Sequence, residues 1–330
     1  GNAFGGSGGG AVWIQASGAV TVNGSILADG GNGSGDQSAG GSGGGIYIAC
    51  DTFAGSGTLR AKGGDLGGNC GGGGGGRIAI VYNTVSQAAA GKPAAVFSVA
   101  GGTGTAAGAM GTIYMPDLGL ITDAAPHTGL IRLSGPAAWE VDSLTKTTGS
   151  MFFAQNGMSL HATNTLTLSG ANVALTLSNA VVNVDGTIRV TNGAACTFWA
   201  GTDSTERLTV GGDIALNNGT LTFHYPVLYP AGLTIGGNIT MTNGAKLYLR
   251  SVMTNAQTPN YGALLDLQHK DLLIRTNCGV YLHSHPTNGG SVKVTVRFLT
   301  VEQGGQVNGD GGGFAGRADL FGYGPGSGHG

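Results

Sequence analysis

The sequence predicts an all-β fold: a right-handed parallel β-helix, a solenoid of about 25 residues per coil, with ordered Gly-rich loops. Three observations predict it. A strand–corner–strand unit returns at a near-constant interval. Gly fills 67 of 330 positions, about a fifth, against about 7% in ordinary proteins. Charged residues are scarce at 10%, while hydrophobic residues reach 41%. The chain can therefore bury a core and is too apolar and too neutral to be disordered by charge. A formal net charge of −2 leaves no basic field for nucleic acid or an anionic membrane surface. The Gly has no three-residue period and Pro numbers only 9, which excludes collagen.

Three segments follow from the distribution of Gly: a Gly-rich head at 1–116, regular coils at 117–303 and a Gly-rich tail at 304–330. In the head, VNGSILADGGNGSG (Val22–Gly35) matches GSGTLRAKGGDLGG (Gly55–Gly68) at an offset of 33. Each copy leads through a Gly run into a short strand, GGGIYIAC ending at Cys50 and GGRIAIVY ending at Tyr82. Residues 71–76 are consecutive glycines. Ordering such a run costs much entropy, so it must be compensated by backbone contacts that only Gly permits. Extended polyglycine segments bundled side by side would supply them, as would broad loops lying flat on the solenoid wall. A phosphate loop is a poor match, because GGGGGGRI lacks the Lys-Ser/Thr pair and no helical pattern follows.

In the middle, VNVDGTIRVTNGAACTFW, LTVGGDIALNNGTLTF and LTIGGNITMTNGAKLYL align. Each is a short alternating strand, a Gly corner, a second strand, an Asn corner and a third strand. Gly186, Gly212 and Gly237 are spaced by 26 and 25, as are Asn192, Asn218 and Asn243. LLIRTNCGVYL places Asn277 in the same slot and LTVEQGGQV places Gln303 there, with an insertion around Gln257–Tyr261. One apolar face per strand cannot be buried by a lone turn, but stacked turns close a continuous core. Gly and Asn are expected at the corners because φ > 0 is needed there, and stacked Asn side chains can bond along a ladder. An antiparallel sandwich with Asn-Gly hairpins would explain one corner but not the fixed return.

The tail QVNGDGGGFAG (Gln306–Gly316) begins a further copy of the head motif, which GGGAVWI at the N-terminal end would complete. The chain begins and ends within this motif, without an initiator Met or leader. The expectation is an excerpt of a longer polypeptide, or subunits stacking end to end.

The word order GSGGGAVWI…GSILADGGNG…GGGIYIAC…GSGTLRAKGG…GGGGGGRIAIVY…GAMGTIYM, with the tail VNGDGGGFAG…GYGPGSG, resembles a Gly-rich β-solenoid module of very large extracellular proteins. The resemblance covers residues 1–116 and 304–330. It implies a secreted or surface-attached, adhesin-like or fibrous role and brings no catalytic residues.

Candidate chemistry is sparse. Cys50, Cys70, Cys196 and Cys278 lack zinc-ligand spacing. A Cys50–Cys70 disulfide weighs evenly against buried small thiols. His283 and His285 share a strand face and could bind a metal with His269, although a surface pair is the plainer reading. Glu140 and Asp142 share a face, and Asp266 and Asp271 flank His269 and Lys270. Lys270, Arg275, Lys293 and Arg297 would supply the base of a polysaccharide lyase. A glycosidase needs two facing acids, and no acidic pair stands out. DGGNGSGD (Asp29–Asp36) and Val307–Asp319 carry oxygens on turns without the calcium nonapeptide pattern. Trp13, Trp139, Trp199, Tyr225 and Tyr229 could stack on sugars, with core packing the default. The reading is a structural or adhesive extracellular or cell-surface protein, not an enzyme and without a cofactor, whose partner is itself or its parent chain. Surface glycans are a second class of partner, and neither nucleic acid nor membrane insertion is expected. The alternatives are a polysaccharide-active enzyme on the same fold and a carbohydrate-binding module.

Overall fold

A computed structural model describes residues 4–35, 37–199, 208–224, 233–251, 262–285 and 291–313. The chain is nearly all β, with 54% strand and 3% helix, and its sheet is large and parallel. It forms two compact units, Gly1–Ala137 with Thr148–Gln155, and Ala138–Thr147 with Asn156–Gly330. No helix among the described residues is long and apolar enough to cross a membrane.

The first unit is built on a parallel ladder of Ala11–Gln15, Gly45–Ala49, Arg77–Val81, Thr112–Met115 and Gly129–Leu133. Alternation puts every second side chain inward, and parallel register stacks like on like. Ile46, Ile78, Ile113 and Ile131 form one such column, each 2% exposed or less. Shorter ladders join Ala19–Thr21 to Thr52–Ala54, and Ser25–Leu27 to Thr58–Arg60 and Val96–Ser98. Ala19 pairs with Thr52 and Ser25 with Thr58, so the 33-residue repeat of the head is the sheet register. Sequence reading missed the helix Thr84–Ala90. Asn83 caps it, accepting from the amides of Val85 and Ser86, and Gly91 ends it at φ 85°. The buried Gln87 turns its Oε1 to the amide of Phe53, 2.7 Å away.

The glycine segments of this unit form a bundle with hydrogen bonds in several directions. One unbroken series runs from the carbonyl of Ser7 through the amides and carbonyls of Gly31, Gly41, Gly64, Gly73 and Gly102 to the amide of Gly108. The stretch 39–44 alone bonds to four neighbouring stretches: its carbonyls accept from Gly6, Gly9 and Gly64, and its amides donate to Ala28, Gly31, Gly71 and Gly74. A flat sheet offers two neighbours. More are reached here because no side chain intervenes: a Cβ on Gly64 would lie 1.9 Å from the carbonyl oxygen of Gly31, and one on Gly41 2.0 Å from that of Ser7.

The second unit carries three parallel ladders. One joins residues 182–184 to Leu208–Val210 and Leu233–Ile235. The next joins residues 166–169 to Ile188–Thr191, Ile214–Asn217, Ile239–Thr242, and then residues 272–274 and 299–301. The last runs from residues 174–178 through Ala195–Trp199, Thr220–His224, Lys246–Arg250 and Gly279–His283 to Gln306–Asn308. Ile188, Ile214 and Ile239 are in register, reproducing the spacings of 26 and 25. The antiparallel sandwich does not describe these ladders. The expected insertion around Gln257–Tyr261 lies outside the described residues, as does the tail beyond 313.

The corners divide by cause. Asn192, Asn218, Asn243 and Asn277 have φ of 55°, 51°, 55° and 63°, the left-handed region expected of them. Gly186, Gly212 and Gly237 are glycine for a different reason, since none of them has positive φ. A Cβ on Gly186 would lie 2.0 Å from the carbonyl oxygen of Asn164, and one on Gly237 2.2 Å from Asp213 Oδ1. Close approach between successive layers fixes these residues, not φ. The last corner also differs from expectation. Leu272 pairs with Leu299 and Val280 with Val307, an interval of 27. The left-handed position therefore falls on Gly304 (φ 80°), whose carbonyl accepts from Asn277, and not on Gln303. The ladder of Asn side chains is offset too: Asn243 Nδ2 donates to Asn217 Oδ1 at 2.7 Å, and Asn192 Nδ2 to Ser169 Oγ at 2.9 Å.

Gly64→Ala is expected to destabilise the protein by about 1–3 kcal/mol or more, as overpacking does. Gly45→Ala, where an added Cβ meets nothing within 4 Å, is expected to change stability by less than about 1 kcal/mol. Thermal and denaturant unfolding of the two variants checks both.

Candidate functional site

Parallel register stacks outward side chains as strictly as inward ones, so any surface site on a ladder is a column. In the first unit Trp13, Tyr47, Ala79, Tyr114 and Arg132 occupy one outward column. Trp13 is 76% exposed and Tyr114 37%. Trp13 packs on Tyr47 with ring centroids 4.8 Å apart. The Tyr114 hydroxyl shares a 2.9 Å hydrogen bond with Ser134. Core packing, the default for Trp13, does not hold. It does hold for Trp139, which is buried. Tyr225 and Tyr229 lie outside the described residues.

The second unit has its own outward column, Trp199, His224, Arg250 and His283. Trp199 and His224 stack at 3.8 Å, and in the adjoining column Tyr248 and Tyr281 stack at 4.7 Å. Burial, then the neighbouring Arg250 guanidinium, pushes His224 down to about 4. The same two causes lower His283. A guanidinium in register beside His283 works against a cation there. His285 lies past the end of its strand, and His269 sits at the irregularity between Leu267 and Asp271. Among the described residues no group of three His, Cys, Asp or Glu is placed to hold a metal.

The acids engage structural partners. Asp271 receives both Nε and Nη2 of Arg297, at 2.9 and 2.8 Å. Asp266 accepts from Thr295 and Gln268, and Arg275 faces Glu302 at 3.9 Å. Glu140 and Asp142 do share an exposed face, but each bonds across to the next strand. Glu140 meets His161 Nδ1 at 2.9 Å and Thr163 donates to Asp142 at 3.3 Å. Asp185 takes the other His161 nitrogen at 3.0 Å. Both ring nitrogens thus face carboxylates, which leaves neither to activate a nucleophile. The hydrogen bond to Asp185, and then that to Glu140, raises the His161 pKa. In the first unit Arg60 holds Asp29 at 2.6 Å, so this end of the DGGNGSGD loop is charge-matched without calcium, while Asp36 and Asp319 lie outside the described residues. Asp65 is pulled down to about 2, chiefly by Lys62 and then by the amide and hydroxyl of Thr103.

No family model, curated protein or solved structure matches the chain.

The Cys50–Cys70 bridge is not formed, and both thiols are free. Gly71 bonds to Gly40, ahead of the strand Gly45–Ala49, while Cys50 follows that strand. The strand alone spans about 16 Å, against the roughly 7 Å that a disulfide allows between Cα atoms. Cys196 and Cys278 are buried as small apolar residues, and burial raises the Cys196 thiol. Sequence reading missed two features. Lys146 occupies an inward strand position, fully buried, and desolvation pushes it down to about 7. The second is a contact that recurs within each unit, a side chain accepting from the backbone of the next layer: Asp29 from Lys62 and Asn32 from Asp65 in the first, Asp213 from Asn238 and Asn238 from Asp271 in the second. For Asn32, Asp213 and Asn238 its signal was present in the repeated GGN and GGD words.

The His161 imidazole is expected to titrate above its ordinary value of about 6.5 in NMR, with Asp185→Asn lowering the midpoint more than Glu140→Gln. Because the folded-state value is raised, the stabilisation that His161 gives is complete below the unfolded value. It is lost as pH rises through the folded one. The stability advantage of the native chain over His161→Gln should shrink across that interval.

Proposed function

We propose that the chain is a structural and adhesive module of an extracellular or cell-surface assembly, a right-handed parallel β-helix of about 25–27 residues per coil in its second unit. Its coils continue into further copies, either stacked subunits or the rest of a parent chain. The single observation that carries this reading is the fate of the core columns at the edge of the ladders. Ile188, Ile214, Ile239 and Leu272 are each 2% exposed or less, and Leu299, next in the same column, is 51% exposed. Val301 and Val307 end their own columns at 42% and 44%. In the first unit Val12 and Ile14 of Ala11–Gln15 are only half-buried, whereas Ile46 and Ile48, their partners on Gly45–Ala49, are buried. An exposed apolar strand edge templates another strand. A coil of like register would cover the apolar columns and pair the edge.

The glycine bundle supports the same reading. It is a stiff, side-chain-free packing suited to a rod. Low charge suits close apposition of copies.

Sedimentation and electron microscopy test it. Native protein is expected to show concentration-dependent end-to-end oligomers or short rods, and Leu299→Lys combined with Val301→Lys to leave monomers of unchanged fold. Native protein that stays monomeric at every concentration contradicts stacking of subunits.

A further inference from the structure

We propose that the outward face of the first unit's main ladder binds an acidic polysaccharide, with one sugar ring seated over Ala79 between Tyr47 and Tyr114. The proposal gives the adhesive half of the function above a ligand class and rests on that reading only for its biological use.

Tyr47, Ala79 and Tyr114 are consecutive in one parallel column. Strands in a sheet lie about 4.8 Å apart, so the two tyrosines stand about 9.6 Å apart across the alanine. Two carbon–carbon contacts of about 3.5–4.0 Å, plus the shallow pucker of a pyranose chair, fill that interval. Ala79 leaves the space open where a larger side chain would close it. Both walls are held in place before any ligand arrives: Tyr47 by the Trp13 ring 4.8 Å away, Tyr114 by its hydroxyl bond to Ser134. Such preorganisation removes part of the entropic cost of binding. Trp13, 76% exposed, extends the aromatic row by one layer, so a linear chain lying along the column meets successive rings.

Charge selects the class of sugar. Arg77 lies two residues before Ala79 on the same strand face, and Arg132 follows Tyr114 in the column; both are exposed. The outward positions of these five strands carry no acidic residue. Two guanidiniums on a carboxylate-free aromatic face complement carboxylate or sulfate groups on a glycan, through forked hydrogen bonds as well as charge.

Calorimetric titration tests this with a hexauronate, a sulfated hexasaccharide and a neutral cellohexaose. The Leu299→Lys/Val301→Lys chain is used, so that failure to assemble and failure to bind are read separately. At least one acidic hexasaccharide is expected to bind, and more tightly than the neutral one; which of them does identifies uronate or sulfate as the charge. Tyr114→Ala should weaken it about tenfold or more, and Arg77→Gln with Arg132→Gln should abolish the preference for acid. Ala79→Phe is the decisive variant. It adds an aromatic ring yet fills the seat, so it should weaken binding, with circular dichroism and melting showing the fold intact. No binding of either acidic probe, equal binding of the neutral one, or unimpaired binding by Ala79→Phe overturns the proposal.

Discussion

Everything in this chain depends on parallel layers approaching until backbone meets backbone. At Gly186, Gly237 and throughout the glycine bundle, the carbonyl of one layer occupies the space where a Cβ of the next would be. That proximity lets amides such as Gly211 and Gly236 bond to the preceding layer at 2.8 and 2.7 Å. It also holds the register, and register is what turns an alternating sequence into columns. Inside, the columns are largely apolar and buried. A one-residue slip would exchange every inward side chain for an outward one.

The same constraint governs the surface. A column repeats one chemical environment every layer, so polar side chains find partners one layer away: His161 between Glu140 and Asp185, Arg297 on Asp271, Asp29 on Arg60. Most of these engagements are exposed and contribute little to stability individually. Two of the acids that could have served catalysis are engaged in this way, Glu140 by the His161 imidazole and Asp271 by the Arg297 guanidinium. Trp13 and Tyr114 keep exposed aromatic surface, and Leu299, Val301 and Val307 exposed apolar surface.

Much of this was legible in the sequence, for a physical reason. The offset of 33 between ILADGG and LRAKGG, and the spacings of 26 and 25 between Ile188, Ile214 and Ile239, are register written directly in the chain. Asn192, Asn218 and Asn243 announced left-handed corners because few other residues tolerate them. What was not legible depended on distance through space. Gly186 and Gly304 are the same letter, yet the first answers to crowding and the second to φ. Lys146 sits where alternation would place an apolar residue. The notch at Ala79 exists only because two tyrosines, 32 residues before and 35 after it, come into one column. The helix Thr84–Ala90 has its cap signals in Asn83 and Gly91, but seven residues are too few to show a helical period.

Spin–spin distance measurement tests the stacking of layers most directly. Arg189 and Ala215 are neighbours in register, and Thr240 is the next step along the ladder. With Cys50 and Cys70 replaced by Ser, paired labels at 189 and 215 should sit one strand spacing apart at the backbone, about 4.8 Å, and labels at 189 and 240 about 9.6 Å. Strong dipolar broadening for the first pair and a weaker effect for the second is the predicted result. Labels at 189 and 215 that show no coupling would contradict the parallel register on which the account stands.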